Sequence, residues 1–392
     1  MSMEIDVTDP EYELVWPREI FKAELGSLLA HPKQVGTEEF VFLLEEAFAG
    51  GTPAADLRAH AAMKQGQSFG QGWSPTRDQS SDEVFMRSLL QQADSLRAPG
   101  QRAPYWHENQ RTPPKQPAER SFQESWARIV SELADRGYFA RIVQYCVDDD
   151  RGGEYGYDFV AAEMEEAIDR GTGLKVEWWP LRSGTAFLEE DILYGLVERL
   201  FELVARPRHR HLHDFGGCGW DYSNFYRPTG KALYAWKVNE VFQRLGLPLA
   251  LEANRGELHG RLVRVMDAPQ QDLIRTANRS PDESIRGRVT HAIDLYRQRT
   301  ATIDHKRSAC KNLADILENR KKTVLQNELP GSDQSDIFQI ANRFGIRHFD
   351  AGQRLDYDPA FLDWIFWSYL NTINLTEDLI ERRVTSQASA GS

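Results

Sequence analysis

The clearest hydrophobic pattern lies near the C-terminus, where Leu362, Ile365, Phe366, Tyr369, Leu370 and Ile373 recur at helical spacing. Positions i, i+3, i+4, i+7, i+8 and i+11 form the stripe of an amphipathic α-helix. Asp358 predicts its N-cap and Pro359 its first position. Phe361, Trp364 and Trp367 fall partly off the stripe. A helix apolar on more than one side requires a second partner, which predicts a dimer interface. Upstream, Ala292, Ile293, Tyr296, Ile303, Ala309, Leu313, Ile316 and Leu317 predict one long helix or a broken pair over 285–322. Pro330-Gly331 ends it, and 334–344 predicts a further short helix.

The middle of the chain is mixed. Ser121 and Glu124 predict a capping box, followed by Phe122, Trp126, Ile129, Val130 and Leu133 on one helical face. Helices are expected over 188–205 and 232–245. Alternation on either side of Asn254-Arg255-Gly256 predicts a β-hairpin. Nearer the N-terminus, Thr37 predicts the cap of a short helix ending at Gly50-Gly51, and 81–96 predicts another. Residues 64–80 read as loop. The Pro-, Gln- and Arg-rich stretch 98–120 reads as an extended linker.

The pattern therefore predicts a mainly α protein in four parts. A mostly helical N-terminal region of unassigned role covers 1–97, and the linker covers 98–120. A smaller α+β region, regulatory or sensing, covers 121–270, and a helical domain covers 281–385.

Composition narrows the function classes. An apolar content of 41% in 392 residues supports globular packing in more than one domain. No run of 18 apolar residues appears, so no membrane span is expected. The first residues are acidic and lack the basic and apolar parts of a secretory signal. Cys146, Cys218 and Cys310 are odd in number and far apart, which predicts reduced thiols in a cytoplasm. A net charge of −12 argues against a non-specific nucleic-acid coat protein. From residue 283 onward acids and bases balance, so a locally basic site remains compatible with the total.

Such a site stands out between the last two apolar patterns. Asn342, Arg343, Arg347, His348 and Arg354 crowd into a short segment, IFQIANRFGIRHFDAGQRLDYD. An arginine can hold a phosphate, and a histidine moves protons near neutral pH. Here the chain resembles HEPN-domain proteins, and more closely the C-terminal domain of AbiJ-like abortive-infection proteins of phage defence. The resemblance rests on IFQIANRFGIRH, on Gln353-Arg354 with Asp356-Tyr357-Asp358, on FLDWIFWSYLNTI and on DHKRSACKNLADILENRKK. It covers about residues 283–383 and extends weakly into the preceding region.

The family's signature is an arginine, four to six residues, then a histidine, and Arg343 with His348 satisfies it. Phe344 stands where the family has a polar residue, so Arg347-His348 with Asn342 is the alternative pair. Glu318 and Lys322 match an acid–base spacing on the preceding helix. The resemblance implies a helical bundle, a homodimer with a composite cleft, and cleavage of RNA without metal or cofactor. Transfer RNA is among the candidate substrates. It also implies an anti-phage toxin or effector, with a regulatory protein as a possible partner. A different class fits the same bundle: a non-catalytic scaffold that binds a partner effector and whose assembly depends on Trp364, Phe366 or Tyr369.

Other constellations carry less. His209, His211 and His213 alternate, with Cys218 nearby, so an extended strand could converge them on zinc. The glycines and arginines around them favour a basic surface loop instead. Asp148, Asp149 and Asp150 with Glu154 read as a solvated turn. The aromatic groups Trp178-Trp179 and Trp220, Tyr222, Phe225 and Tyr226 could stack bases but read as core.

Overall fold

A computed structural model describes residues 5–31, 35–67, 81–98, 121–142, 164–170, 188–213, 219–254, 256–321, 324, 338–339, 346 and 357–390. Among these residues the protein is mainly helical, with two small antiparallel sheets of two strands each. The chain divides into two compact units, Met1–Val241 and Phe242–Ser392. The division falls inside the stretch 121–270 that the sequence suggests as one α+β region.

In the first unit, α1 (Arg18–Ala30), α2 (Thr37–Ala47), α3 (Thr52–Gln67) and α4 (Ser81–Gln91) pack together. Phe21, Leu25, Phe40, Leu44, Leu57, Phe85 and Leu89 are buried among them. Gly36, not Thr37, caps α2, and its backbone N–H donates to Glu39 at 2.8 Å. Helix α5 (Phe122–Asp135) begins with the expected capping box. The Ser121 N–H donates to Glu124 Oε2 at 2.9 Å, and the Glu124 N–H donates to Ser121 Oγ at 3.2 Å. Helix α6 spans Glu190–Leu203.

Strand β1 (Arg206–His213) then pairs antiparallel with β2 (Gly219–Tyr226), from Arg206 opposite Tyr226 to His213 opposite Gly219. The histidine segment is therefore a strand rather than the loop its flanking glycines suggest. Gly216 and Gly217 fall between the strands, and β2 supplies a partner for every residue of β1 except Arg208. Nor are the β2 aromatics core: Trp220 is exposed, and Tyr222, Phe225 and Tyr226 are half-buried.

Helix α7 (Arg227–Arg244) follows directly, five residues earlier than the apolar pattern indicates. Pro228 suits a first turn because its missing N–H needs no partner there. Gly230 lets that turn cross β1 closely, since a Cβ there would lie 2.5 Å from the Arg206 backbone nitrogen. Trp126 Nε1 donates to Tyr234 Oη at 2.8 Å, and Tyr234 donates to the Val197 carbonyl at 3.0 Å. One buried hydroxyl thus joins α5, α6 and α7.

In the second unit, β3 (Leu249–Leu251) pairs antiparallel with β4 (Leu262–Arg264). The hairpin is as expected, but its strands are shorter. Residues 252–261 fold back on themselves through Glu252 N–H to Arg261 O at 3.0 Å and Gly260 N–H to Glu252 O at 2.7 Å. Helix α8 (Ala268–Ala277) is capped by Asp267, and α9 (Glu283–Arg297) by Asp282. Helix α10 (Ile303–Arg320) is capped by Thr302, which resolves the long apolar pattern into a pair. Helix α11 (Ala360–Ala390) starts where Asp358 accepts the Ala360 N–H at 2.8 Å.

All six residues of its expected stripe are buried in one core with residues of α8, α9 and α10. The Tyr296 ring stacks on Phe366 with centroids 3.8 Å apart, and Trp367 meets the Tyr296 ring edge-on. Among the described residues no helix is long and apolar enough to cross a membrane.

Candidate functional site

The basic segment suggested by the sequence comes between α10 and α11 along the chain. Asn342, Arg343, Arg347, His348, Arg354 and Lys322 lie outside the described residues, as does the helix expected over 334–344 apart from Phe338 and Gln339. The segment's anchorage is described. Ile346 is 3% exposed and belongs to the core built by α9, α10 and α11. Phe338 packs against the same core, and the Lys321 ammonium sits 4.8 Å from its ring centre. The chain carrying the arginines and histidine is therefore tied to the bundle on both sides of Asn342 and Arg343. Glu318 is exposed on the last turn of α10, while Arg320 on that turn is buried.

Two polar ties bracket the apolar stripe of α11. At its start, Tyr296 Oη and Lys306 Nζ both donate to Asp363 Oδ1, at 2.7 and 2.6 Å. Burial, then the hydrogen bond to Asp363, pushes the Tyr296 hydroxyl well above its ordinary range. Beside them Cys310 Sγ lies 3.4 Å from the Leu362 carbonyl, and burial pushes its thiol up to about 12. A thiol so placed is a small core residue and not a nucleophile. Further along, Arg320 donates to Thr376 and to Glu377 as a buried ion pair. Arg320 is already engaged there and is not presented to a phosphate.

The polar core of the first unit lies at the start of β1. Arg206 is fully buried, with Nε donating to Glu46 at 2.7 Å and Nη1 to Glu24 at 2.9 Å. Arg208 Nε and Nη2 donate to the two oxygens of Glu24 at 2.8 and 3.0 Å, and Thr229 donates to the same carboxylate. Burial opposes ionisation of Glu24, but Arg208, Arg206 and Thr229 outweigh it and hold the carboxyl low. For Glu46 burial wins over Arg206, and the carboxyl is raised. Aromatic faces complete the packing: Arg208 lies 3.6 Å from the Tyr226 ring centre, and Arg210 lies 4.4 Å from both Phe42 and Trp220. The arginines of β1 thus fasten α1 and α2 to the hairpin and face carboxylates.

The three histidines do not gather. His209 Nδ1 lies 3.2 Å from Glu39, His211 is exposed opposite Asp221, and His213 is opposite Gly219. Among the described residues no three His, Cys, Asp or Glu side chains are placed to hold a metal ion. Cys218, Asp148 to Asp150, Glu154 and Trp178-Trp179 lie outside the described residues.

The buried ion pairs escape a purely apolar reading of the chain, yet the pattern marks them. Thr376 and Glu377 continue the α11 stripe three and four residues past Ile373, and Arg320 continues that of α10 past Leu317. A polar residue at a core position is the signal for a buried partner. Comparison with protein-family models, with curated proteins and with solved structures finds no match.

Proposed function

We propose that this protein is a HEPN-type, metal-independent endoribonuclease whose site is carried by the segment between α10 and α11. The observation behind this reading is Ile346. Ile346 is buried in the bundle core, and in the sequence it stands between Arg343 and Arg347-His348. A fixed scaffold is what general acid–base chemistry needs, because proton transfer and charge stabilisation depend on sub-ångström placement. His348 would take the proton of the ribose 2′-hydroxyl as that oxygen attacks the adjacent phosphate, and would pass it to the 5′-oxygen that departs as the P–O5′ bond breaks, leaving a 2′,3′-cyclic phosphate and a 5′-hydroxyl. Arg347 or Arg343 would stabilise the charge on the phosphorane. A role in phage defence follows from the sequence resemblance alone.

The test is incubation of the purified full chain with total RNA and transfer RNA in EDTA, beside the His348→Ala variant. Discrete cleavage that persists in EDTA and vanishes in the variant supports the reading. Cleavage indifferent to His348 refutes the assignment of the site.

A second reading, a non-catalytic scaffold, draws on surface chemistry. Phe361 and Trp364 on α11 are 44% and 50% exposed, and Ile303 and Leu375 are exposed as well. Phe366 and Tyr369 are core residues, so of the three expected assembly residues only Trp364 probes an interface. On this reading Trp364→Asp abolishes self-association or partner capture, while changes at Arg347 and His348 leave function intact.

A further inference from the structure

The turn between β3 and β4 lies over one face of α9. His291, Asp294 and Arg297, spaced three apart, meet it in order. His291 Nδ1 lies 3.0 Å from Glu257, and Arg297 Nη1 donates to Glu252 at 3.1 Å. Between them Asp294 is 7% exposed and accepts the Glu257 backbone N–H, while its Oδ2 has no hydrogen-bond partner. Gly256 closes over that oxygen, since a Cβ there would lie 3.7 Å from it. Just beyond the turn, β4 bridges from Val263 to Gln298 at the end of α9.

A buried carboxylate oxygen without a protein donor is costly as an anion, which favours the protonated form. The neighbouring charges on the turn are the carboxylates of Glu257 and Glu252, which disfavour a third negative charge. The described carboxylates and histidines do not converge as metal ligands would. The proton is the cation that fits.

We propose that Asp294 is a proton-operated clasp, which in its neutral form holds the β3–β4 turn onto α9 and on ionising loosens it. The Arg297 guanidinium on α9 favours the ionised carboxylate, but burial and the two glutamates outweigh it. Burial first, and then the Glu257 charge, push the Asp294 carboxyl up to about 6. The sign follows from that direction. An acid raised in the closed state binds its proton more tightly there, so closure is favoured at low pH and is lost as pH rises through about 6. Set against the ordinary value of 3.8, the shift corresponds to about a tenfold loss of closure between pH 5 and pH 7.5. The clasp is independent of any nuclease activity, since it needs only the turn and α9.

The test is amide hydrogen exchange of the peptide spanning 252–261 in the full chain, corrected for intrinsic exchange rates. Protection in the wild type is expected to fall about tenfold between pH 5 and pH 7.5, and Asp294→Asn is expected to keep the acid-state protection throughout. Glu257→Gln, which removes one opposing charge and preserves Asp294, is expected to move the midpoint to lower pH. A flat wild-type profile overturns the proposal, as does one that Asp294→Asn and Glu257→Gln both leave unchanged.

Discussion

Replacing Arg206 with leucine should be the most costly single change in the first unit, and its cost should depend on pH. The guanidinium is fully buried and answers two carboxylates, Glu24 and Glu46. Glu24 keeps both nitrogens of Arg208 and the Thr229 hydroxyl, so it stays ionised and paired. Glu46 is left with the Tyr138 hydroxyl at 3.3 Å, a weak replacement for a charge. Removing one side of a buried pair typically costs about 3–5 kcal/mol, because the other charge remains desolvated. The Glu46 carboxyl is already raised by burial with Arg206 in place, and without Arg206 it rises further. A raised carboxyl contributes its stability at low pH and loses it as pH climbs through the folded-state value. The variant should therefore show the full loss at pH 7.5 and recover part of it at pH 5. Urea denaturation followed by tryptophan fluorescence, to which buried Trp16 and Trp126 of this unit contribute, measures the loss. The Arg206→Leu/Glu46→Gln double variant, which removes the stranded charge, should regain at least about 1 kcal/mol at pH 7.5. A loss below about 1 kcal/mol, or an equal loss at both pH values with no recovery in the double variant, refutes the claim that Glu46 is stranded.

Four other outcomes, one of them a control, test the packing and the second buried ion pair. Ile373→Ala removes a fully buried side chain from the α9–α11 core and should cost about 2–5 kcal/mol in the unfolding transition that carries the near-ultraviolet signal of the Tyr296–Phe366 stack. Gly137→Ala places a Cβ 2.4 Å from the Tyr222 ring at a backbone φ of +79°, so it should lower stability by more than about 2 kcal/mol in thermal melts. Gly51→Ala, where nothing lies within 4 Å, should stay within about 0.5 kcal/mol and serves as the control. Glu377→Gln strips the counter-charge from buried Arg320 and should cost about 3–5 kcal/mol, much of it regained by also changing Arg320 to methionine.

What the sequence made legible follows from which force is local. Helix α11 could be read almost residue by residue, because its stripe, its Asp358 cap and its Pro359 all act within a few residues of one another. The Ser121–Glu124 capping box was legible for the same reason. Strand β1 was not. RPRHRHLH lacks the apolar alternation that marks a strand, and what makes it one is distant: the β2 partners and carboxylates on α1 and α2 about 160 to 180 residues earlier. Spacing along the chain cannot show that Arg206 will meet Glu24 and Glu46.

The same distinction separates the two kinds of charged residue in this protein. Arg206, Arg208 and Arg320 each face a carboxylate across a packed contact. Arg343, Arg347 and His348 lie in the connection between two helices and flank a residue that is itself deep in the core. If they were merely solubilising, neutral polar residues would do as well. Replacing Arg343 and Arg347 together with glutamine therefore divides the two roles. Unchanged thermal stability with loss of RNA cleavage assigns the arginines to a phosphate. Lost stability assigns them instead to ion pairs of the kind seen at Arg206.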